Sequence, residues 1–249
     1  MSVRFVLCAL ILSCAPFAQA TSIVILRSPS RVYIGADSRR TYRDSNNASY
    51  AGSICKIVPA GPLFFVASGL TYANNRQVAD IGADAGRTGR SVLYAMEAFR
   101  GRMQVFLPSA LAAQREVEQS YVGDRQGLVL ESAFIGFENG LATVTVEWYS
   151  KNGTASNPRV TTDRRTYSSA IPGRYDFIFL GKRRAIDQYL ARRTPSVRND
   201  ASAVAWITRL IGLEASESPE STALPIDILE LDTFGPRWLE HRAACDASL

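Results

Sequence analysis

The chain has 249 residues, 47% of them apolar and 20% charged, with a formal net charge of +5. That balance belongs to a globular protein and excludes a disordered one. The basic residues are dispersed, as Arg39, Arg40 and Arg43, then Arg87 and Arg90, then Arg183, Arg184, Arg192 and Arg193; no basic stripe interleaved with stacking aromatics is present, which argues against nucleic acid as a partner.

The first twenty residues have the three parts of an export signal. Arg4 gives a positive start, "FVLCALILS" an apolar stretch, and Ala18-Gln19-Ala20 a small-x-small cut site. The apolar stretch is shorter than the about 20 residues that span a bilayer. A retained N-terminal anchor is one alternative. Lipid attachment at Cys14 in "ILSC" is another, disfavoured by the bulky Leu12 and by the better site that follows. Removing residues 1–20 from 249 leaves 229 and, without Arg4, a net charge of +4. Residues 21–249 suit one domain with a full core, secreted or periplasmic and free of the membrane after cleavage. Of the four cysteines, Cys55 and Cys245 remain. In an oxidising compartment they could form one bridge, while Cys55 in "SICKIVP" equally fits a buried free thiol.

Past the cut site, "TSIVILR", a Ser28-Pro29-Ser30 turn and "RVYIGADSR" read as a β-hairpin. Residues 41–53 are polar and read as a loop. "ICKIVPAGPLFFVASG" gives two short strands, and residues from Thr71 to about Gln114 read as two helices broken near "GRTGR". "LESAFIGFENGLATVTVEWYSKNG" is a hairpin turning at Asn139-Gly140. "YDFIFLGK" is a strand, "RRAIDQYLARR" and "ASAVAWITRLIGLEA" are amphipathic helices, and "LPIDILELD" is a last strand. Blocks of strands alternating with helix pairs predict a layered α+β fold.

Several chemistries fall by subtraction. The one histidine, His241, sits near the C terminus, so a Ser-His-Asp triad has little to build on. His241, Cys55 and Cys245 are scattered and do not make a zinc ligand set. Phosphate-binding glycine patterns and the GXSXG elbow are absent. A threonine at the start of a mature chain needs no histidine, because its own α-amine, with an unperturbed pKa of about 7.7–8.0, serves as base. A lysine beside it would stabilise charge on the hydroxyl oxygen, and an aspartate would hold that lysine in place. Asp37 ends the second strand of the hairpin, and Lys56 follows in the next strand.

"TSIVILRSPSRVYIGADSRRT", "CKIV" and "FFVASGL" together resemble the opening of a proteasome β-type subunit, an N-terminal-nucleophile hydrolase. The resemblance covers residues 21–70 and is topological beyond them. It implies a four-layer αββα sandwich of two antiparallel sheets flanked by helices, with no cofactor or metal. Thr21 resembles the nucleophile, Asp37 the acid that orients the lysine, Lys56 that lysine, and Gly69 the glycine whose N–H serves as oxyanion donor. Amide or peptide hydrolysis through an acyl-enzyme on Thr21 follows, with a peptide or small amide as substrate. Relatives that act as proteases form rings, which brings a homo-oligomer into the expectation. Ala20 before the cut suits signal peptidase, whereas relatives often cleave themselves after a glycine. Late in the chain Thr222-Ala223-Leu224 stands where the family has Ser-Gly-Gly, with Glu217 or Glu220 in place of its Asp, and Lys182 stands where it has a serine. Those departures define the alternative, an inactive binding or scaffold module.

Overall fold

The computed structural model describes residues 21–43, 49–89, 91–113, 125, 127–154, 157–241 and 245. The expected export signal, with Cys8 and Cys14, lies outside them. Strands β1 (Ser22–Ser28) and β2 (Arg31–Asp37) form the first hairpin. β3 (Arg39–Arg43), β4 (Ser49–Ser53), β5 (Val58–Ala60) and β6 (Leu63–Gly69) follow, then β7 (Tyr72–Ala73) and β8 (Arg76–Gln77). Helices α1 (Val78–Thr88) and α2 (Val92–Ala113) precede β9 (Leu128–Glu138), β10 (Leu141–Thr154), β11 (Asn157–Tyr167) and β12 (Asp176–Gly181). The chain continues through α3 (Arg184–Leu190), α4 (Asp200–Glu217), β13 (Ile226–Asp232) and β14 (Gly235–Glu240).

One five-stranded sheet has the order β12-β1-β2-β13-β14 and another β11-β10-β9-β6-β5. β1 and β2 are almost continuously apolar because both of their faces are covered. Ile23, Ile25, Val32 and Ile34 join Phe64, Val66 and Ile135 in a core between the two large sheets. Val24, Leu26 and Tyr33 point the other way, onto Ile207, Leu210 and Ile211 of α4. The Asn139-Gly140 turn has φ of 51° and 76°, the double positive φ that a two-residue hairpin requires.

The expected αββα sandwich of two antiparallel sheets is corrected by this structure. The described residues are mostly β, 45% strand against 30% helix, and form four mainly antiparallel sheets and four helices. The two additional sheets arise where local sequence pointed elsewhere. The 41–53 stretch, expected as a loop, supplies most of β3 and all of β4, which pair with each other and include the β-favouring Thr41, Tyr42 and Tyr50. The stretch from Thr71, expected as helix, begins with the β7–β8 hairpin, whose turn residues Asn74 and Asn75 take φ of 50° and 57°. β11 and β14 escape sequence patterning because they are edge strands. β11 is polar and mostly exposed and pairs along the length of β10, and β14 tolerates Pro236 as edges do.

Candidate active site

The antiparallel order of β12, β1 and β2 decides what surrounds Thr21. β1 runs opposite to both neighbours, so its first residues lie beside the last residues of each. Ser22 pairs with Gly181 and Ile23 with Ala36. Thr21 immediately precedes β1 and is 7% exposed. Asp37, at the end of β2, is fully buried. Its Oδ1 accepts the Ser22 N–H at 2.9 Å and its Oδ2 accepts the Arg39 N–H at 3.1 Å.

Lys56 lies in the short segment between β4 and β5, not in a strand as expected. Its Nζ donates to Thr21 Oγ1 at 2.7 Å and contacts both Asp37 oxygens at 3.1 Å. The lysine and aspartate side chains are 6% and 0% exposed, so the ion pair is shielded from solvent. Burial pushes the Asp37 carboxyl above the usual carboxylate range, while the Lys56 ammonium and the two backbone N–H donors pull it back. An ammonium held this way favours negative charge on the threonine oxygen.

Gly69 ends β6 with a φ of +107°, a conformation that L side chains rarely adopt. Its neighbour Ser68 donates through Oγ to the Thr21 carbonyl oxygen at 3.3 Å. The backbone N–H of Lys182 reaches the same oxygen at 3.0 Å. Thr21, Asp37 and Lys56 are thus in direct contact, and Gly69 follows Ser68, which touches Thr21 from the other large sheet.

Sequence reasoning missed the support behind this group. Glu131 of β9 is fully buried, and its carboxylate accepts from the Trp148 indole at 2.8 Å, from the Arg125 guanidinium and from the Gly181 N–H. Burial pushes this carboxyl up as well, against the pull of Arg125. The legible signal was a carboxylate inside the apolar run "LVLESAFIGF", since acids are almost never buried without partners. Lys182, which the resemblance sets against a serine, contacts Thr21 through its backbone N–H, and its Nζ pairs with Glu220 at 3.1 Å. Glu217 pairs with Arg184 at 3.5 Å. Both candidate replacements for the family's late aspartate are therefore engaged by basic residues. Ser221 nevertheless borders the cleft above Thr21, and His241 stacks on Trp238 at the surface.

A cleft of about 110 Å³ opens over Thr21 and Lys56, with Ile54, Val58, Phe65 and Ala67 as its apolar wall. Arg40 donates to Gln77 at 2.9 Å, and both border the same cleft. The open question about cysteine pairing is decided for a bridge: Cys55 and Cys245 are disulfide-bonded with Cα atoms 5.2 Å apart, directly beside Lys56 in sequence. Among the described residues, Asp227 and the two sulfurs lie within 4.8 Å of one another. Bonded to each other, the sulfurs do not offer the thiolates that a metal would take. In comparisons with known proteins, no protein-family model and no curated protein matches the chain.

Proposed function

We propose that this chain is an exported N-terminal-threonine hydrolase that cleaves amide or peptide bonds through an acyl-enzyme on Thr21. The observation that carries the reading is the 2.7 Å contact of Lys56 Nζ with Thr21 Oγ1, on a lysine that a buried aspartate grips at 3.1 Å. A lysine with only a structural role in a half-buried segment would point its ammonium to water. Here it points inward at a hydroxyl bordering a cleft. The resemblance of residues 21–70 to N-terminal-nucleophile hydrolases supports the same roles.

Cleavage after Ala20 frees the Thr21 α-amine. That amine takes the proton from Oγ1, and the oxygen adds to the carbonyl carbon of the scissile amide. The Lys56 ammonium stabilises charge at the attacking oxygen, and the Gly69 N–H is the donor for the oxyanion. Collapse breaks the C–N bond, and the leaving amine collects the proton held by the Thr21 nitrogen. Water then attacks the ester with the same amine as base. The ester C–O bond breaks, the acid departs, and the proton returns to Thr21. The apolar wall formed by Ile54, Val58 and Phe65 favours acyl groups with an apolar side chain.

The disulfide supports an oxidising location, secreted or periplasmic. Linking activation to removal of an export leader would keep the enzyme inert before it leaves the cytoplasm. The test combines N-terminal sequencing of the exported protein with mass spectrometry after treatment with a peptide α′,β′-epoxyketone. That probe closes a ring only on a residue offering a hydroxyl and a free amine together. The reading expects a chain beginning at Thr21 that gains the mass of the intact probe on that residue. A chain beginning at Ser22 or Ile23, or an unlabelled Thr21, would overturn it.

A further inference from the structure

Asp37 holds the Thr21–Ser22 peptide from its N–H side, through Ser22 N at 2.9 Å, and the carbonyl side is held by other groups. The Thr21 carbonyl oxygen is held by the Lys182 N–H at 3.0 Å and the Ser68 hydroxyl at 3.3 Å. Both donors sit next to Gly181, which has a φ of +86°. A Cβ at this glycine would fall 1.6 Å from the Thr21 carbonyl oxygen and 2.6 Å from Ser68 Oγ. The end of β12 therefore descends on Thr21 as closely as backbone can.

Glu131 holds that end of β12. It belongs to the other large sheet, flanked by Ser68 on β6 and Trp148 on β10. One carboxylate oxygen accepts from Trp148 and Arg125, and the other accepts the Gly181 N–H. A buried carboxylate is unfavourable unless such donors surround it. Of the three, the Gly181 N–H alone comes from the sheet that bears Thr21. The charge-assisted bond thus ties the two sheets together one peptide before the Lys182 N–H that holds the Thr21 carbonyl.

We propose that Glu131 is a positioning residue for the threonine nucleophile: by clamping Gly181 it holds the Thr21 backbone so that the hydroxyl stays against the Lys56 ammonium. The inference rests on the reading of Thr21 as nucleophile, and its test separates the two. Leu180-Gly181 is the one Leu-Gly dipeptide in the chain. Carbonyl-¹³C leucine with ¹⁵N glycine therefore isolates the Gly181 amide signal in the exported protein. A carboxylate acceptor should move that proton well downfield of ordinary glycine amides, and Glu131→Gln should return it upfield. In the same variant, kcat and the rate of epoxyketone capture should fall by up to ~100-fold with little change in KM, as misplacement of a reacting group predicts. A Gly181 amide at an ordinary shift in the unmodified protein overturns the clamp without any variant needing to fold. A folded Glu131→Gln protein captured as fast as its parent overturns the positioning role. If the parent itself is not captured, the nucleophile reading fails and the role fails with it, while the amide shift still reports whether the clamp exists.

Discussion

Lys56 and Asp37 form an ion pair closed from solvent, with the ammonium 3.1 Å from both carboxylate oxygens and 2.7 Å from the Thr21 hydroxyl. The arrangement aims a point charge. Lys56→Ala should lower kcat by about 10²–10³-fold, the range for losing one preorganised group that stabilises charge on a reacting oxygen. Lys56→Arg should not rescue activity, because a planar guanidinium does not replace a compact ammonium at this spacing. Steady-state hydrolysis of a peptide amide checks both. Thr21→Ala should abolish hydrolysis yet leave processing after Ala20 intact; accumulation of uncleaved precursor would point to self-cleavage.

Breaking the pair from one side leaves an uncompensated buried charge. Asp37→Asn should destabilise the protein by about 3–5 kcal/mol. Adding Lys56→Met to that variant should restore much of the stability and none of the activity. Denaturant unfolding of the two single variants and the double variant, analysed as a cycle, reads the coupling directly.

Gly181→Ala places a methyl against the Thr21 carbonyl at a backbone conformation of φ +86°. Strain and overpacking together should destabilise by more than about 2 kcal/mol. A thermal melt unchanged from the parent would contradict the close approach of β12 to Thr21.

The Cys55–Cys245 bridge spans a sequence separation of 190 residues. In the chain-entropy description a loop of that length stabilises by about 5 kcal/mol. Reduction with a dithiol, or Cys55→Ser, should therefore lower the unfolding midpoint markedly. Because Cys55 adjoins Lys56, the loss of activity on reduction should accompany or precede the loss of structure. Parallel melts and rate measurements across a redox titration test this.

Asp37 and Glu131, together with the buried Glu147 and Glu214, are all pushed up by burial. For a carboxyl whose folded value is raised, the stabilising contribution is complete below the unfolded value of about 4 and disappears as pH rises through the folded value. Activity has the opposite sign at Asp37, since only the carboxylate anchors the ammonium. Thermal stability should consequently be greater at mildly acidic pH than at pH 8. The kcat profile should carry an acid limb above the usual carboxylate range. Asp37→Asn should remove its own part of both trends.

The exposed carboxyls Glu97 and Glu220 and the half-buried Asp200 are held low, so their contributions are lost only in stronger acid.

What the sequence determined by itself was whatever neighbours along the chain encode. The Asn139-Gly140 turn, the apolar periodicity behind α4 and the abrupt start of β1 just after Thr21 are local chemistry, and each was readable. The β3–β4 ribbon reads as a loop because its polar residues suit either, and the β7–β8 hairpin reads as the start of a helix because the helical stretch of α1 follows it directly. Pairing of the exposed edge strands β11 and β14 depends on partners distant along the chain. Tertiary structure alone decided that Lys56 reaches a threonine 35 positions away, that Glu131 meets Gly181 across two sheets, and that Cys55 meets Cys245. Those contacts follow from strand register and from how the two large sheets face each other, which are set by burial of the whole core and not by any local stretch of residues.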